Sequence, residues 1–302
     1  MPVSTSGRST KPVARVSCVV PTHLRVSTLT RALDSIERQE LTPFEVLVVD
    51  DAADQETRQL IERRAPAFPC LLRYIDNSAL PGACNSRNKG GVEAAGDMLA
   101  FLDDDDEWLP TFLKRCVAAI TAERVDFALT YIDRCYPGGV VKPLRTSAGL
   151  DGKTVLKERV YMTGSSFVVE KDSFHKVGGF DPRVPVFNDW DLFIRMLRGN
   201  LTYAVIPEAL VRWHEHDGVR ITTGSLRRAD GIDRFIKNYG ADMSVAVKSY
   251  YLRLATGIRK SFEPSRYGRA KLTASMMYTG GLPMIAYLVS NKLGSRADKT
   301  RT

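Results

Sequence analysis

The sequence predicts an α/β fold in which helices flank a mostly parallel sheet and a helical C-terminal extension follows. Strand-like and helix-like segments alternate through the first part of the chain. The strand-like segments are apolar on both faces, which is typical of parallel strands covered by helices on both sides. Polar clusters follow three of these strands, and parallel sheets bind ligands at the carboxyl ends of their strands. We therefore expect one crevice lined by all three clusters.

The first part of the chain supplies the alternating elements. Val16–Val20 is a short β-rich run before Pro21, and Ser27 is placed to cap the helix that follows. Phe44–Val49 is a second apolar strand, and Asp54 can cap the next helix. The remaining strands and helices of this part are predicted at Leu71–Ile75, Cys84–Ala95, Met98–Leu102 and Leu109–Ala122.

The second part of the chain completes the sheet and then becomes helical from Ser225 onward. The stretch Leu272–Asn291 contains no charged residue. Polar residues, two glycines and a proline interrupt it, so it predicts an interfacial amphipathic element or a packed helical hairpin rather than a membrane-spanning helix. The earlier elements are a strand, a short helix, a turn, a helix and two strands, at Thr163–Val169, Lys171–Val177, Gly178–Asp181, Asn188–Arg198, Leu201–Ile206 and Leu210–Trp213.

Charge is distributed unevenly along the 302 residues. Val219–Thr302 contains 16 Lys and Arg against 5 Asp and Glu, whereas the preceding residues contain 27 against 30. We expect a disordered segment at 1–13, a catalytic domain at 14–218 and a basic helical region at 219–302. Such a region indicates an anionic partner, which could be a membrane surface, a phosphorylated lipid or a nucleic acid.

The five cysteines indicate a compartment. Their number is odd, no Cys-x-x-Cys pair occurs, and the N-terminal residues do not have the pattern of a signal peptide. These features predict a cytoplasmic protein with free, buried thiols. With the basic C-terminal region, they also predict peripheral contact with the inner face of the cytoplasmic membrane.

An acidic run, Asp103–Asp106, directly follows the apolar strand Met98–Leu102. Four adjacent carboxylates repel one another unless a positive charge lies close to them, and hard divalent cations prefer oxygen ligands. In extended geometry Asp103 and Asp105 share a face, so they could hold a cation against a diphosphate. The alternative is a solvated acidic turn before the next helix.

These motifs, taken in order, resemble those of a known family. The chain contains PTHLR, LVVDDA, PGACNSRNKGG, FLDDDDEW, GGFD and NDWDLFIR. This series is similar to the motifs of the family 2 nucleotide-sugar glycosyltransferases of GT-A fold, including those of bacterial cell-surface polysaccharide synthesis. The resemblance covers roughly Val16–Trp213. It implies an inverting, metal-dependent enzyme that moves a sugar from a nucleotide diphosphate sugar, expected to be a UDP-sugar, to a saccharide or lipid-linked acceptor.

The resemblance also implies roles for individual residues. Asp51 would hydrogen-bond the base, and Asp105, with Asp103 and His214, would hold Mn²⁺ or Mg²⁺. Asp189 would be the catalytic base and Asp191 a second catalytic acid, while Trp190 and Asp181 would contact the acceptor. The residues expected to bind the nucleotide sugar are Pro21, Thr22, His23, Arg25, Asp50, Asp51, Gly82, Arg87, Asn88, Asp103 and Asp104.

Three positions depart from the family pattern. His23-Leu24 replaces a usual Tyr-Asn, Asn188 replaces a usual Glu before Asp189, and Ala52-Ala53 follows Asp51 in place of Gly-Ser. These positions lie at the edge of the expected pocket and on its acceptor side. They therefore bear on specificity more than on the class of reaction.

Other classes of protein remain as alternatives. A sugar-nucleotide-binding scaffold would share the fold without catalysis, and the basic C-terminal region would also suit a nucleic-acid-binding protein. We expect no nucleic-acid partner, because no helix has a basic and aromatic recognition pattern and the acidic crevice would repel phosphates. A nucleotidyltransferase would need a Gly-rich basic loop where PTHLRVS stands.

Overall fold

A computed structural model describes residues 14–157, 160–184, 186–215 and 225–279. Within them a nine-stranded mixed sheet has the order β3-β2-β1-β4-β8-β6-β9-β5, with β7 paired to β6. The strands are β1 Val16–Thr22, β2 Glu45–Asp50, β3 Leu71–Asp76, β4 Met98–Phe101, β5 Asp106–Trp108, β6 Phe127–Cys135, β7 Val141–Leu144, β8 Phe167–Glu170 and β9 Tyr203–His214.

The helices of the described residues cover both faces of this sheet. They are α1 Val26–Glu37, α2 Gln55–Arg64, α3 Ala83–Glu93, α4 Phe112–Glu123, α5 Lys171–Lys176, α6 Asn188–Arg198, α7 Leu226–Tyr239, α8 Val245–Phe262 and α9 Arg266–Thr279. The central strand β1 shows why two layers form. Its alternating side chains enter two separate cores: Val19 packs on the α3 and α6 side and Val20 on the α1 and α4 side.

Strands β1 to β4 form the parallel half that the sequence predicts. β1 pairs in parallel with both β2 and β4, and β2 pairs in parallel with β3. The register places Thr22 beside Asp50 and Asp50 beside Asp76. The polar residues that follow these strands therefore lie along one edge of the sheet, as expected for a ligand crevice.

The other half of the sheet is largely antiparallel, which the apolar runs did not indicate. β8 is antiparallel to β4 and β6, and β5 is antiparallel to β9. The sequence patterns did not indicate β6 or β7, nor the short strand β5, which contains Glu107 and Trp108. Trp108 is buried, and its ring stacks on Phe112 with the centroids 4.5 Å apart.

One of the two predicted N-cap residues is found at the start of its helix. Asp54 caps α2 as predicted, because its carboxylate accepts a hydrogen bond from the Thr57 backbone N–H at 3.0 Å. Ser27 does not cap α1, which begins at Val26 with Arg25 at the N-cap position and no side-chain cap bond. The prediction for Ser27 was therefore wrong.

The helices after residue 225 pack on the sheet domain. Residues of α7 and α8, including Phe235 and Tyr251, share one hydrophobic core with Trp190 of α6. In the described part of the chain no helix is long and apolar enough to cross a membrane. The predicted disorder at 1–13 lies outside the described residues. The part of the uncharged stretch Leu272–Asn291 that follows Thr279 also lies outside them.

Candidate active site

The crevice begins where β1, β2 and β4 end. The buried Thr22 side chain donates a hydrogen bond to the Asp104 carboxylate at 2.8 Å, which joins the end of β1 to the chain that follows β4. The His23 backbone N–H lies 3.4 Å from the same carboxylate oxygen. Pro21 is buried within β1, so it shapes this edge of the sheet rather than presenting a side chain to the crevice.

The acidic run folds into a tight turn. The Asp106 backbone N–H donates to the Asp103 carbonyl at 3.0 Å, and β5 starts directly after it. Asp103 pairs with Arg87, whereas Asp104 and Asp105 both contact the Arg25 guanidinium, at 3.1 and 3.2 Å. The expectation that Asp103 and Asp105 share one face of an extended strand was therefore wrong, because the chain turns between them.

Two arginines neutralise much of the charge in this acidic turn. Arg25 extends from the start of α1, and Arg87 extends from the buried face of α3. Burial raises the pKa of Asp104 to about 6, even though Arg25 and the Thr22 hydrogen bond act to lower it. A further positive charge at this turn would therefore find carboxylates that are already poorly solvated.

The Arg87-Asn88 pair links three segments. Arg87 contacts Asp103, lies 3.4 Å from the Asn188 side-chain oxygen, and stacks over the Phe180 ring at 5.0 Å. The Asn88 side chain accepts from the Phe180 backbone N–H at 2.8 Å and donates to the Phe180 carbonyl at 2.7 Å. Arg87 therefore reaches the crevice as expected, while Asn88 holds the turn before α6 in place.

Asp51 lies at the outer edge of the crevice with two partners. One carboxylate oxygen lies 2.6 Å from the His23 ring Nδ1, and the other accepts from the Gly82 backbone N–H at 2.6 Å. Gly82 has φ +119°, a conformation that residues with a Cβ rarely adopt, and it precedes α3. These three residues come together as the sequence predicts.

Asp50 does not face the crevice. Its fully buried carboxylate accepts hydrogen bonds from the backbone N–H groups of Ala52 and Asp54, at 2.9 and 2.6 Å. It also accepts from the Tyr74 hydroxyl at 2.9 Å. Asp50 therefore shapes the loop that presents Asp51, and its predicted contact with the nucleotide finds no support in this geometry.

Asp189 opens helix α6 close to the acidic turn. Its carboxylate accepts from the Trp190 backbone N–H at 2.8 Å. Burial raises the pKa of Asp189 to about 6, the nearby charge of Asp103 acts in the same direction, and Arg87 opposes both. A carboxylate with such a pKa is ionised at neutral pH and is more basic than an ordinary aspartate, which suits a general base.

The other two members of this motif have structural partners. The buried Asp191 carboxylate contacts the Tyr239 hydroxyl and the Arg195 guanidinium, the latter at 2.7 Å. The Trp190 ring is buried and stacks on Phe235 at 4.8 Å. This geometry gives no support to Asp191 as a second catalytic acid, and the expectation that Trp190 faces an acceptor was wrong because its ring lies in the core.

Asp181 lies in the turn that Asn88 holds. Its carboxylate accepts from the Arg183 backbone N–H at 2.9 Å and pairs with the Arg183 guanidinium at 2.8 Å. Arg183 lowers the pKa of Asp181. The carboxylate is therefore held as an anion, and its proposed contact with an acceptor remains a prediction.

His214 lies near the acidic turn, at the end of β9. Asp106 of β5 pairs with Trp213 of β9 in an antiparallel register. Asp105, which precedes Asp106, and His214, which follows Trp213, therefore lie at the same end of the two strands. The His214 Nε2 atom lies 3.0 Å from the Glu107 carboxylate, which also pairs with Arg31 at 3.0 Å. As positioned, His214 therefore orders this strand end through Glu107.

Sequence reasoning missed two residues that support the acidic turn. The Ser165 hydroxyl accepts from the Asp103 backbone N–H at 3.0 Å and donates to the Asp106 carboxylate at 2.6 Å. Arg31 donates to the Asp105 carbonyl at 2.8 Å. A serine before a strand and an arginine on a helix carry no local signal of these contacts, which depend on the packing of β8 and α1 against the turn.

The chemistry of the turn fits a divalent cation that takes most of its ligands from a substrate. The Asp103 and Asp105 side chains remain 29% and 11% exposed, and both offer oxygen ligands. Within the described ranges no group of three His, Cys, Asp or Glu side chains is arranged to hold a metal alone. Mg²⁺ is commonly bound by one or two carboxylates plus phosphate oxygens, which matches this set.

More than half of the chain matches a known protein family. The family model for glycosyl transferase family 2 matches residues 17–183. The chain is 27% identical over 241 residues to WcaA of Escherichia coli K12, whose name assigns it to colanic acid biosynthesis, with 78% of this chain and 85% of WcaA covered.

Two further comparisons concern a second relative and a solved structure. The chain is 26% identical over 112 residues to WfgD of Escherichia coli, named as a UDP-Glc:alpha-D-GlcNAc-diphosphoundecaprenol beta-1,3-glucosyltransferase, with 37% of this chain and 43% of WfgD covered. The mannosyltransferase PcManGT of Pyrobaculum calidifontis, solved with GDP-Man and Mn²⁺, superposes with a TM-score of 0.59 at 17% identity, covering 93% of this chain and 80% of that one. The fold is therefore the GT-A fold, and the chain belongs to glycosyltransferase family 2.

Proposed function

We propose that this chain is an inverting, metal-dependent glycosyltransferase that acts on a nucleotide diphosphate sugar. One observation carries the proposal: Arg87 contacts Asp103 in the acidic turn and Asn188 directly before Asp189. A single guanidinium thus joins a carboxylate cluster suited to a diphosphate with a separate carboxylate suited to a base. A glycoside hydrolase would instead need two carboxylates that flank one bond.

Asp189 would act as the base. Transfer with inversion forms a bond from the acceptor oxygen to the anomeric carbon while the bond from that carbon to the diphosphate oxygen breaks. The leaving nucleoside diphosphate keeps the bonding electron pair, and Asp189 takes the proton of the acceptor hydroxyl. A pKa of about 6 leaves this carboxylate ready to accept a proton at neutral pH.

The acidic turn would hold the donor. Asp103 and Asp105 would ligate Mn²⁺ or Mg²⁺, which when bound neutralises charge on the diphosphate as a Lewis acid. Asp105 would exchange its contact with Arg25 for the cation, while Ser165 keeps the turn in place through the Asp103 backbone. Thr22 and Arg87 would complete the wall around the diphosphate and the sugar.

The donor is proposed to be a UDP-sugar and the acceptor a saccharide or lipid-linked saccharide in surface polysaccharide synthesis. The name of WfgD gives UDP-Glc as donor and a diphosphoundecaprenol-linked sugar as acceptor, and that of WcaA refers to colanic acid. PcManGT was solved with GDP-Man, so the nucleobase of the donor is to be tested. The nucleobase would lie beside Asp51, His23 and Gly82.

We also propose peripheral contact between the basic C-terminal region and an anionic membrane surface. At the junction of α8 and α9 the Phe262 side chain is 50% exposed and Tyr267 is 82% exposed. Lys271 lies one helical turn beyond Tyr267 and is exposed on the same face of α9. Aromatic side chains beside basic ones favour the interface of an anionic bilayer, where a lipid-linked acceptor would also lie.

Vesicle sedimentation tests this membrane contact. The protein should sediment with phosphatidylcholine vesicles that contain phosphatidylglycerol, and less with phosphatidylcholine alone. The pairs Phe262→Ala/Tyr267→Ala and Lys260→Glu/Lys271→Glu should each reduce sedimentation, while Leu71→Ala, a control on an exposed apolar residue of β3, should not. Equal sedimentation of all variants would contradict the proposed surface.

The reaction is tested by two substitutions. Asp105→Ala should abolish metal-dependent release of UDP from a UDP-sugar, because the turn loses a cation ligand. Asp189→Asn should abolish turnover while donor binding, measured by calorimetry, survives. Full turnover by Asp189→Asn would rule out the proposed base.

A further inference from the structure

The residues on either side of Asp189 are held by helices of the C-terminal region. Before it, the Phe187 ring lies 5.4 Å from Phe235 of α7 and 5.2 Å from Tyr251 of α8. After it, the Trp190 ring lies 4.8 Å from Phe235 and 5.2 Å from Tyr251. These four rings form an aromatic cluster at the start of α6, and Asp189 lies in the sequence between Phe187, which precedes the helix, and Trp190, which belongs to it.

The backbone at Phe187 is in an unusual conformation. Its φ of +61° and ψ of +31° are left-handed, which is rare for a bulky residue and costs on the order of 1 kcal/mol or more. The Phe187 carbonyl nevertheless accepts the first hydrogen bond of α6, from the Asp191 backbone N–H at 2.8 Å. A conformation of this kind persists where surrounding contacts outweigh its cost, and here the contacts come from α7 and α8.

Two further contacts join α7 to the same segment. The Tyr239 hydroxyl contacts the Asp191 carboxylate, two residues after Asp189. A Cβ added at Gly231 would lie 2.6 Å from a methyl group of Val186, so α7 approaches the residue before Phe187 with no room for a side chain. The first turn of α6 is thus held on both sides of Asp189.

We propose that α7 and α8 position the Asp189 carboxylate through the aromatic cluster, so that the C-terminal helices are part of the catalytic apparatus as well as of the proposed membrane contact. The inference rests on the proposed role of Asp189 as the base. Phe187, Phe235 and Tyr251 would be positioning residues, since they act through Asp189.

The test compares three Phe variants. Phe235→Leu removes the ring that α7 contributes to the cluster. Phe187→Gly removes the ring that precedes α6, and glycine readily adopts the positive φ of this position. Phe68→Leu is the control: Phe68 is also buried, but in the core on the opposite face of the sheet. All three should unfold at lower temperature than the wild type, so loss of stability alone cannot separate them.

The readout is the titration of the Asp189 carboxyl, followed by ¹³C NMR on Asp-labelled protein and assigned with Asp189→Asn. The wild type should titrate with a midpoint near 6. Phe235→Leu and Phe187→Gly should move the midpoint toward the ordinary value near 4, since a displaced carboxylate regains water, while Arg87 and Asp103 stay as the nearby charges. Phe68→Leu should leave the midpoint unchanged.

Turnover gives an independent measurement. With UDP-glucose and Mn²⁺, release of UDP should fall at least about tenfold in Phe235→Leu and Phe187→Gly, with donor affinity within about twofold of the wild type, as expected when a base is misplaced by about 1 Å. Midpoints that are equal in all variants, or a wild-type midpoint near 4, would overturn the inference. Turnover by Asp189→Asn would instead overturn the proposed function and leave the titration result standing.

Discussion

Replacing Asp189 by Asn should stabilise the protein at neutral pH while it removes turnover. Burial raises the pKa of this carboxyl from 3.8 to about 6, so ionisation is less favourable in the folded chain than in the unfolded chain. A shift of about two units corresponds to about 3 kcal/mol at 1.36 kcal/mol per unit. That value is an upper limit for the gain, because the Asn amide must also be buried.

The sign of this effect depends on pH. Below the unfolded pKa of about 4 the carboxyl is protonated in both states, and no difference arises. As pH rises through 4 to 6, the unfolded chain ionises first and the stability that the group contributed is lost. Linkage sets the upper limit of the gain for Asp189→Asn at about 1 kcal/mol at pH 4.5 and about 3 kcal/mol at pH 7.5.

Asp191→Asn is the matched control two residues along the same helix. Its buried carboxylate pairs with the partly exposed Arg195 and accepts a hydrogen bond from the Tyr239 hydroxyl, so the substitution weakens both contacts. We expect a loss of about 1–3 kcal/mol in the free energy of unfolding. Two Asp→Asn changes in one motif should therefore shift stability in opposite directions at neutral pH.

Chemical denaturation at pH 4.5 and 7.5 measures both variants. A gain for Asp189→Asn that grows with pH, beside a loss for Asp191→Asn, would support the separate roles of the two acids. A loss for Asp189→Asn at pH 7.5 as large as that for Asp191→Asn would refute the reasoning, because Asp189 would then be a paired structural carboxylate.

Three further predictions concern the crevice and the packing of α3 against the sheet. Turnover should rise with pH through about 6, so that the rate at pH 5 is about a tenth of the plateau, since Asp189 must be ionised; a flat profile in stopped assays of UDP release would contradict this. Gly90→Ala should cost about 1–3 kcal/mol in thermal unfolding, because a Cβ there would lie 2.3 Å from a Val19 methyl group. Arg25→Gln should lower the melting temperature in EDTA, because the acidic turn loses a neutralising charge. Mn²⁺ should then raise the melting temperature more than in the wild type, because Arg25 no longer competes with Mn²⁺ for Asp105; an equal rise would argue against that competition.

The parallel half of the fold was predictable because its sequence signals are local. Apolar runs mark β1 to β4, and Asp54 marks the start of α2. The polar strand ends then meet at one edge because parallel strands point the same way, so Thr22, Asp51 and Asp104 could be grouped before their contacts were known.

The antiparallel half of the sheet and the surroundings of Asp189 were harder to predict because tertiary packing decides them. β5 has three residues and pairs with a strand about a hundred positions later, so no local pattern marks it. Trp190 and Asp191 follow Asp189 directly, but the helix turns their side chains toward α7 and α8. The motif singles out Asp189 as the proposed base, but it cannot show which of its neighbours belong to the core.

The sequence motif predicted the position of the acidic run correctly but not its backbone conformation, which is a turn and not an extended strand. The sequence indicates that Asp103 and Asp105 act together, and both lie at the crevice. In the turn Asp103 contacts Arg87, Asp105 contacts Arg25, and Ser165 holds the Asp103 backbone, so residues from three different elements set its geometry. Contacts of that kind appear only once the sheet is assembled.

Calorimetric titration of nucleotide diphosphate sugars tests the central claim most directly. A panel that includes UDP-, GDP- and dTDP-sugars is titrated into the protein with Mn²⁺ and then with EDTA, and again with Asp105→Ala. We expect one UDP-sugar to bind in the presence of Mn²⁺, and we expect EDTA or Asp105→Ala to remove this binding. Binding of no donor under either condition, or binding that EDTA and Asp105→Ala leave unchanged, would contradict the claim that the acidic turn holds a cation against a diphosphate.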